Sequence, residues 1–205
     1  IQDISFTIEK GHCLAIIGKN GVGKSTLLNT IAKELTPLSG KIEYHGTTAV
    51  GHFGQTNISR LDPKSTIMDE IYAANPKLSA ASVRSICGAM MFSGDRAEKK
   101  ISLLSGGEKS RVMLGQILSR PSNLLFLDEP THHLDIDSIE ALTVAIKNFQ
   151  GSSIIVSHSE ELLRRVADRL IIFTKEGAEL FDGGYDLFLE KRGWDEDEVE
   201  ETAPV

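Results

Sequence analysis

Apolar residues along this chain follow two rhythms. Four short, mostly apolar runs, at 13–17, 123–127, 153–156 and 170–173, have the length and composition of strands buried on both faces. Elsewhere apolar residues recur every three or four positions, as on one face of a helix. Leu27, Leu28, Ile31 and Leu35 do so within 25–35, and Ile136, Ile139, Leu142, Ile146 and Phe149 do so farther on. Helices are also predicted at 79–92, with Gly88 interrupting, at 159–167 and at 185–191. Thr66 with Asp69 and Ser105 with Glu108 have capping-box spacing, which opens helices at 66–74 and 105–119. Ile4, Phe6 and Ile8 alternate with Ser5, Thr7 and Glu9, the pattern of a half-exposed strand, and 41–45 and 48–53 read as short strands joined through Gly46. Turn formers punctuate these segments at Lys10-Gly11, at 36–40, at Asp62-Pro63 and at Asn75-Pro76. Strands alternating with helices predict an α/β fold, a mainly parallel sheet with helices on both faces. An antiparallel β subdomain and a small helical lobe inserted at about 58–120 complete the expected domain, 1–194.

Composition narrows this picture slightly. A chain of 205 residues with 40% apolar content suits one domain with a full core. No apolar run approaches the ~20 residues of a membrane-spanning helix, so direct membrane insertion is not expected. Ile1-Gln2-Asp3 is not a signal peptide; without an initiator Met, and opening inside a strand-like pattern, it reads as a cut from a longer chain. Cys13 and Cys87 make no disulfide framework, and a reducing cytoplasm fits them. The net charge of −7 is concentrated in Asp195, Glu196, Asp197, Glu198, Glu200 and Glu201; without these the formal charge is about −1. The tail 195–205 is therefore expected to be disordered, and the nearly neutral body carries no general basic field for nucleic acid.

Candidate chemistry begins at Gly18-Lys19-Asn20-Gly21-Val22-Gly23-Lys24-Ser25-Thr26, which fits G-x-x-x-x-G-K-[ST] between a predicted strand and a predicted helix. Gly21 and Gly23 let the loop wrap so that backbone N–H groups converge. The helix start adds a dipole, Lys24 an ammonium for β- and γ-phosphates, and Ser25 a hydroxyl ligand for Mg²⁺. About a hundred residues on, the apolar run ends in Asp128 and Glu129. Neighbours on a strand point opposite ways, so Asp128 can contact Mg²⁺ while Glu129 polarises the attacking water.

Further motifs resemble those of ATP-binding cassette (ABC) ATPases, a P-loop NTPase family. Leu104-Ser105-Gly106-Gly107-Glu108 is similar to the family signature, Gln55 to its Q-loop glutamine, Leu134-Asp135 to its D-loop and His158 to its switch histidine. The order matches over residues 1 to about 175. The resemblance implies Mg²⁺-dependent ATP hydrolysis, with Gln55 contacting Mg²⁺ and sensing the γ-phosphate. It also implies that Ser105, Gly106 and Gly107 serve ATP held on a second cassette, two domains closing head to tail. The helix opened by Ser105 has the free N–H groups and dipole for an anion. The aromatic residue that stacks on adenine in many cassettes has no equivalent here, its position falling upstream of Ile1. His132-His133-x-Asp135 could instead hold a metal, but the hard ion expected here takes oxygen ligands.

Thr131-His132-His133-Leu134-Asp135 is similar to the T-N-H-L-D of ABC-F proteins, with His in place of Asn, and 183–189 resembles the G-x-Y-x-x-[FY]-L ending of ABC-F cassettes. That resemblance implies one of two cassettes in a cytoplasmic protein that acts on ribosomes in translation, with rRNA and tRNA as partners through the whole protein. The rival reading is the nucleotide-binding subunit of an ABC membrane transporter.

Overall fold

A computed structural model describes residues 4–53, 61–132, 134–174 and 177–194. Among these residues six strands form one sheet: β1 (Cys13–Ile17), β2 (Val50–Phe53), β3 (Leu124–Asp128), β4 (Ser152–Val156), β5 (Arg169–Thr174) and β6 (Gly177–Phe181), in the order β2-β3-β4-β1-β5-β6. The first five run parallel, and β6 returns antiparallel to β5. Every residue of β1 and β4 is buried, as central strands covered on both faces require.

Among the described residues seven α-helices cover the sheet: α1 (Lys24–Ile31), α2 (Ile67–Ala74), α3 (Ala80–Ala89), α4 (Gly106–Ser119), α5 (Ile136–Asn148), α6 (Glu160–Val166) and α7 (Tyr185–Lys191). Strand alternation sorts the core. Leu14, Ile16, Phe126, Ile154, Val156, Ile171 and Phe173 face α1. Cys13, Leu125, Leu127 and Ile155 face the opposite way, toward α2 to α6. Ala15, Ile17, Leu170 and Ile172 share that second face and pack on Leu163 of α6 and on Tyr185 and Phe188 of α7. The crossover after β1 thus lies on one face and the crossover after β3 on the other. That reversal opens a crevice at the carboxyl ends of β1, β4 and β3, where open α/β sheets bind ligands.

Both capping boxes form. Thr66 and Asp69 close the start of α2, and Ser105 and Glu108 close the start of α4; such a cap stabilises a helix by about 1 kcal/mol. The Asn75 amide donates to the Ser119 carbonyl at 2.7 Å and satisfies the far end of α4.

Some boundaries differ from the sequence expectation. The helix predicted over 25–35 ends at Ile31; Lys33 adopts φ 62°, and Leu35, expected on the buried face, is 45% exposed. The helix predicted over 79–92 ends at Ala89, with Met91 at φ 65°. Ile136 starts α5 and is 83% exposed, so the buried face begins later, with Ser138, Ala141 and Leu142. Residues 4–9 and 41–45 keep the inward and outward alternation expected of strands but form no strand ladder. Ile4, Phe6, Ile8 and Tyr44 pack against the core on the α1 face. The carbonyls of Thr7 and Glu9 are taken by Arg169 Nη1 at 3.0 Å and Ser152 Oγ at 2.9 Å, side chains standing where a strand would. Among the described residues the antiparallel strand pairing is that of β5 with β6. The tail 195–205 lies outside the described residues.

Asn123 joins the starts of three strands. Its side chain accepts from Ala49 N and donates to Thr47 O, both at 2.9 Å, and its carbonyl accepts from Ser152 N at 2.9 Å. Gly151 packs directly on that carbonyl: a Cβ there would lie 2.4 Å from Asn123 O and 2.5 Å from a ring carbon of Phe149. Gly151→Ala is expected to cost about 1–3 kcal/mol, as other overpacked sites do. Thermal denaturation should show a Tm lower by several degrees; an unchanged Tm would mean that the joint yields easily.

Candidate functional site

The loop 18–26 leaves β1 and turns into α1. Gly18 is buried at φ 143°, and a Cβ on it would sit 2.7 Å from Phe173 Cβ and 2.9 Å from Phe173 O, so only glycine lets the loop pass β5. Gly21 and Gly23 have φ 77° and 105°, and Gly23 is the left-handed N-cap of α1. Lys19, Asn20, Gly21 and Val22 form the outer part of the loop, partly or fully exposed. Lys24 is buried; its Nζ reaches back to donate to Gly18 O at 2.8 Å and Lys19 O at 2.7 Å. Burial lowers the Lys24 pKa, opposed by the nearby charges of Glu129 and Asp128. Ser25 and Thr26 follow, exposed, in the first turn of α1.

Ser25 Oγ donates to Asp128 Oδ1 at 3.0 Å, which joins the loop to the end of β3. The next residue, Glu129, takes φ 44°, a left-handed conformation that costs a non-glycine residue energy. Its N–H donates to Val156 O at 2.9 Å, which holds it against the end of β4. Two residues past Val156, His158 meets the same side chain. His158 N donates to Glu129 Oε2 at 3.4 Å, and Nε2 lies 3.5 Å from Oε1. Burial pushes the Glu129 carboxyl up to about 7, against the lowering effects of the His158 N–H and Lys24. Burial also lowers the His158 pKa, reinforced by Lys24 and His132. Burial disfavours charge on both groups, so as pH falls the Glu129 carboxyl takes up a proton before the imidazole does, and His158 is neutral in this contact. The structure thus brings Lys24, Ser25, Asp128, Glu129 and His158 to one place.

Ser105, Gly106 and Gly107 form a second cluster with Asp135. Ser105 Oγ accepts from Glu108 N at 3.2 Å, and Ser105 N donates to Glu108 Oε2 at 2.8 Å. These bonds, with Lys99 3.4 Å away, hold the Glu108 carboxyl below its ordinary pKa. A Cβ on Gly107 would lie 3.1 Å from Asp135 Oδ2, so the starts of α4 and α5 touch. Asp135 is also the N-cap of α5, accepting from Ser138 N at 2.8 Å and from the buried Ser138 hydroxyl. Sequence reading missed this cap, although the Asp135-x-x-Ser138 spacing signals it. His132 beside His158 was likewise invisible in sequence, because it depends on how β3 and β4 are paired. Gln55 lies outside the described residues. Among the described residues no group of three or more His, Cys, Asp or Glu could hold a metal, and no helix is long and apolar enough to cross a membrane.

The ABC transporter family matches residues 1–132. The chain belongs to this family, as an ATP-binding cassette. It is 36% identical over 192 residues to the Bacillus subtilis protein YdiF, covering 94% of this chain and 30% of that protein. It is also 36% identical over 188 residues to ABC transporter F family member 5 of Arabidopsis thaliana, covering 91% of this chain and 27% of that protein. A solved structure described as the complex of archaeal ribosomal stalk protein aP1 and archaeal ribosome recycling factor aABCE1 superimposes with a TM-score of 0.67. It is 27% identical, over 86% of this chain and 34% of that one. The cassette thus spans about a third of the length of such curated relatives, and ABC-F proteins are the kind it most resembles.

Proposed function

We propose that this cassette binds Mg²⁺·ATP at the phosphate loop and hydrolyses it to ADP and phosphate once a second cassette closes over it. One observation carries the reading. A buried ammonium, a hydroxyl–carboxylate pair and a half-buried glutamate against a histidine share the carboxyl ends of β1, β3 and β4. Residues 18–26 cradle the triphosphate with backbone N–H groups, and Lys24 turns its ammonium to the β- and γ-phosphates. Ser25 Oγ and Asp128 Oδ1, 3.0 Å apart, are the all-oxygen donors a hard divalent cation takes, and with Gln55 they would hold Mg²⁺. When bound, that ion neutralises charge on the β- and γ-phosphate oxygens. Glu129 accepts a proton from the attacking water, whose oxygen bonds to the γ-phosphorus as the bridging oxygen leaves with ADP. The His158 backbone N–H steadies the Glu129 carboxylate, and the single N–H of its neutral ring is offered to the γ-phosphate.

Ser105, Gly106 and Gly107 are the wall for ATP held by the other cassette, and Asp135 braces that wall through Gly107. The rate per chain should therefore rise with concentration until paired copies saturate. Ser105→Arg, which blocks the helix start, should lower the saturated rate at least tenfold, roughly the worth of one charge-assisted hydrogen bond to phosphate. ATP affinity by calorimetry should stay unchanged. A concentration-independent rate, or full turnover in Ser105→Arg, would overturn the second wall.

We read the whole protein as an ABC-F factor acting on ribosomes. Support comes from the F family relatives and from the solved ribosome recycling factor, described in complex with a ribosomal stalk protein. Co-sedimentation of the whole protein with ribosomes in ATP supports this; co-purification with a membrane protein would favour a transporter subunit.

A further inference from the structure

Beyond the phosphate site, one buried carboxylate stands out. Glu70 on α2 is 8% exposed, and both of its oxygens are occupied. Oε1 accepts the Asp62 N–H at 2.9 Å, where the chain enters the helical region after β2. Oε2 accepts Nε2 of Gln116 on α4 at 2.6 Å, and the same amide donates to the Glu70 carbonyl at 3.1 Å. One side chain therefore ties the entry of the helical region to the helix that Ser105 begins.

A second tie runs parallel to the first. Ile101 N donates to Ser65 O at 3.0 Å, Ser102 N to Pro63 O at 3.1 Å and Ile67 N to Lys99 O at 3.2 Å. Lys99 then pairs with Glu108, the residue that closes the box on Ser105. Both routes start at 62–67 and end at α4.

Packing alone does not call for a carboxylate here. α2 and α4 already meet through Ile71, whose Cδ1 would lie 2.8 Å from a Cβ on Gly115. An apolar side chain of similar volume would fill the site without the desolvation cost of a charge. What the carboxylate adds is direction: two fixed hydrogen bonds define how α4 is turned and slid against α2.

We propose that Glu70 is a positioning residue. It fastens α4 to the entry segment through Asp62 and Gln116, and so sets where Ser105, Gly106 and Gly107 are presented to the nucleotide of the second cassette. This rests on the second-wall reading given under the proposed function.

The test uses the 205-residue chain at several concentrations, with ATP affinity by calorimetry and steady-state hydrolysis measured in parallel. In Glu70→Ala, ATP affinity stays within about twofold of the parent, the saturated rate falls by roughly tenfold, and half-saturation shifts to higher concentration. Glu70→Gln leaves one acceptor oxygen for two donors, so either the Asp62 N–H or the Gln116 amide faces an N–H₂, and the variant is similarly impaired. The swap E70Q/Q116E restores donor facing acceptor at that contact, and should recover at least about threefold of the lost rate. If Glu70→Ala does not fold, the Glu70→Gln and swap pair carries the test alone. Parental turnover in Glu70→Ala or Glu70→Gln would overturn the proposal. So would a loss of ATP affinity and turnover together that the swap does not repair. Failure of the second-wall reading itself would show in the parent chain, as a concentration-independent rate, before any Glu70 variant is made.

Discussion

Glu129→Gln is expected to bind ATP as the parent does and to turn it over at least about 100-fold more slowly, the usual worth of a positioned general base. The amide keeps the volume and the acceptor for the His158 N–H but cannot take the proton of the attacking water. The pH dependence gives an independent check. Burial pushes the parent carboxyl up to about 7, so below that pH it is protonated and cannot act as a base. kcat/KM should therefore climb as pH rises through about 7, and the residual Glu129→Gln profile should be flat there. The linkage to stability has a defined sign. A carboxyl with a raised pKa binds its proton more tightly in the folded chain. It therefore adds stability below the ordinary carboxylate range, and that stability is lost as pH rises through about 7. At pH 8, Glu129→Gln should melt no lower than the parent. A parental hydrolysis rate in this variant would remove Glu129 from the role of base.

Lys24→Ala should lose ATP affinity by on the order of 100-fold, given the worth of the charged hydrogen bonds an ammonium makes to two phosphates. Hydrolysis should be lost with it. Lys24 is buried with its Nζ held by the carbonyls of Gly18 and Lys19, so the ammonium is already placed within the loop. Calorimetry with ATP is the direct measurement, with circular dichroism as the control for folding. Unchanged affinity in a folded variant would show that the loop does not bind phosphate through this residue.

Much of the site was legible along the chain because its parts are local. A glycine loop, a capping box and a strand ending in two acids each depend on neighbours a few residues away. The Thr66–Asp69 and Ser105–Glu108 boxes formed as their spacing predicts. The Asp135 cap is equally local, an aspartate accepting from the N–H three residues on at the start of α5. The strand reading of 4–9 and 41–45 fell short for a different reason. Alternation reports which side chains turn inward, and it did so correctly for Ile4, Phe6, Ile8 and Tyr44. A ladder also needs a partner backbone within hydrogen-bonding reach. At Thr7 and Glu9 that place is held by the side chains of Arg169 and Ser152, which are distant in sequence.

The order of residues thus settled by itself where β1 to β5, most helices and the glycine loop lie, but not the antiparallel β6, and it settled which residues carry charge or a hydroxyl at the strand ends. Short-range hydrogen bonds and apolar periodicity act between near neighbours, so they can be read without coordinates. The sheet order β2-β3-β4-β1-β5-β6 was decided only in three dimensions. That order sets the end of β3 beside β4 and the end of β4 beside β1, and so carries Glu129 to His158 and Asp128 to Ser25. Folding also raised the Glu129 pKa, lowered that of His158 and tied Glu70 to Gln116. Desolvation and contacts between residues far apart in the chain exist only once the chain is packed.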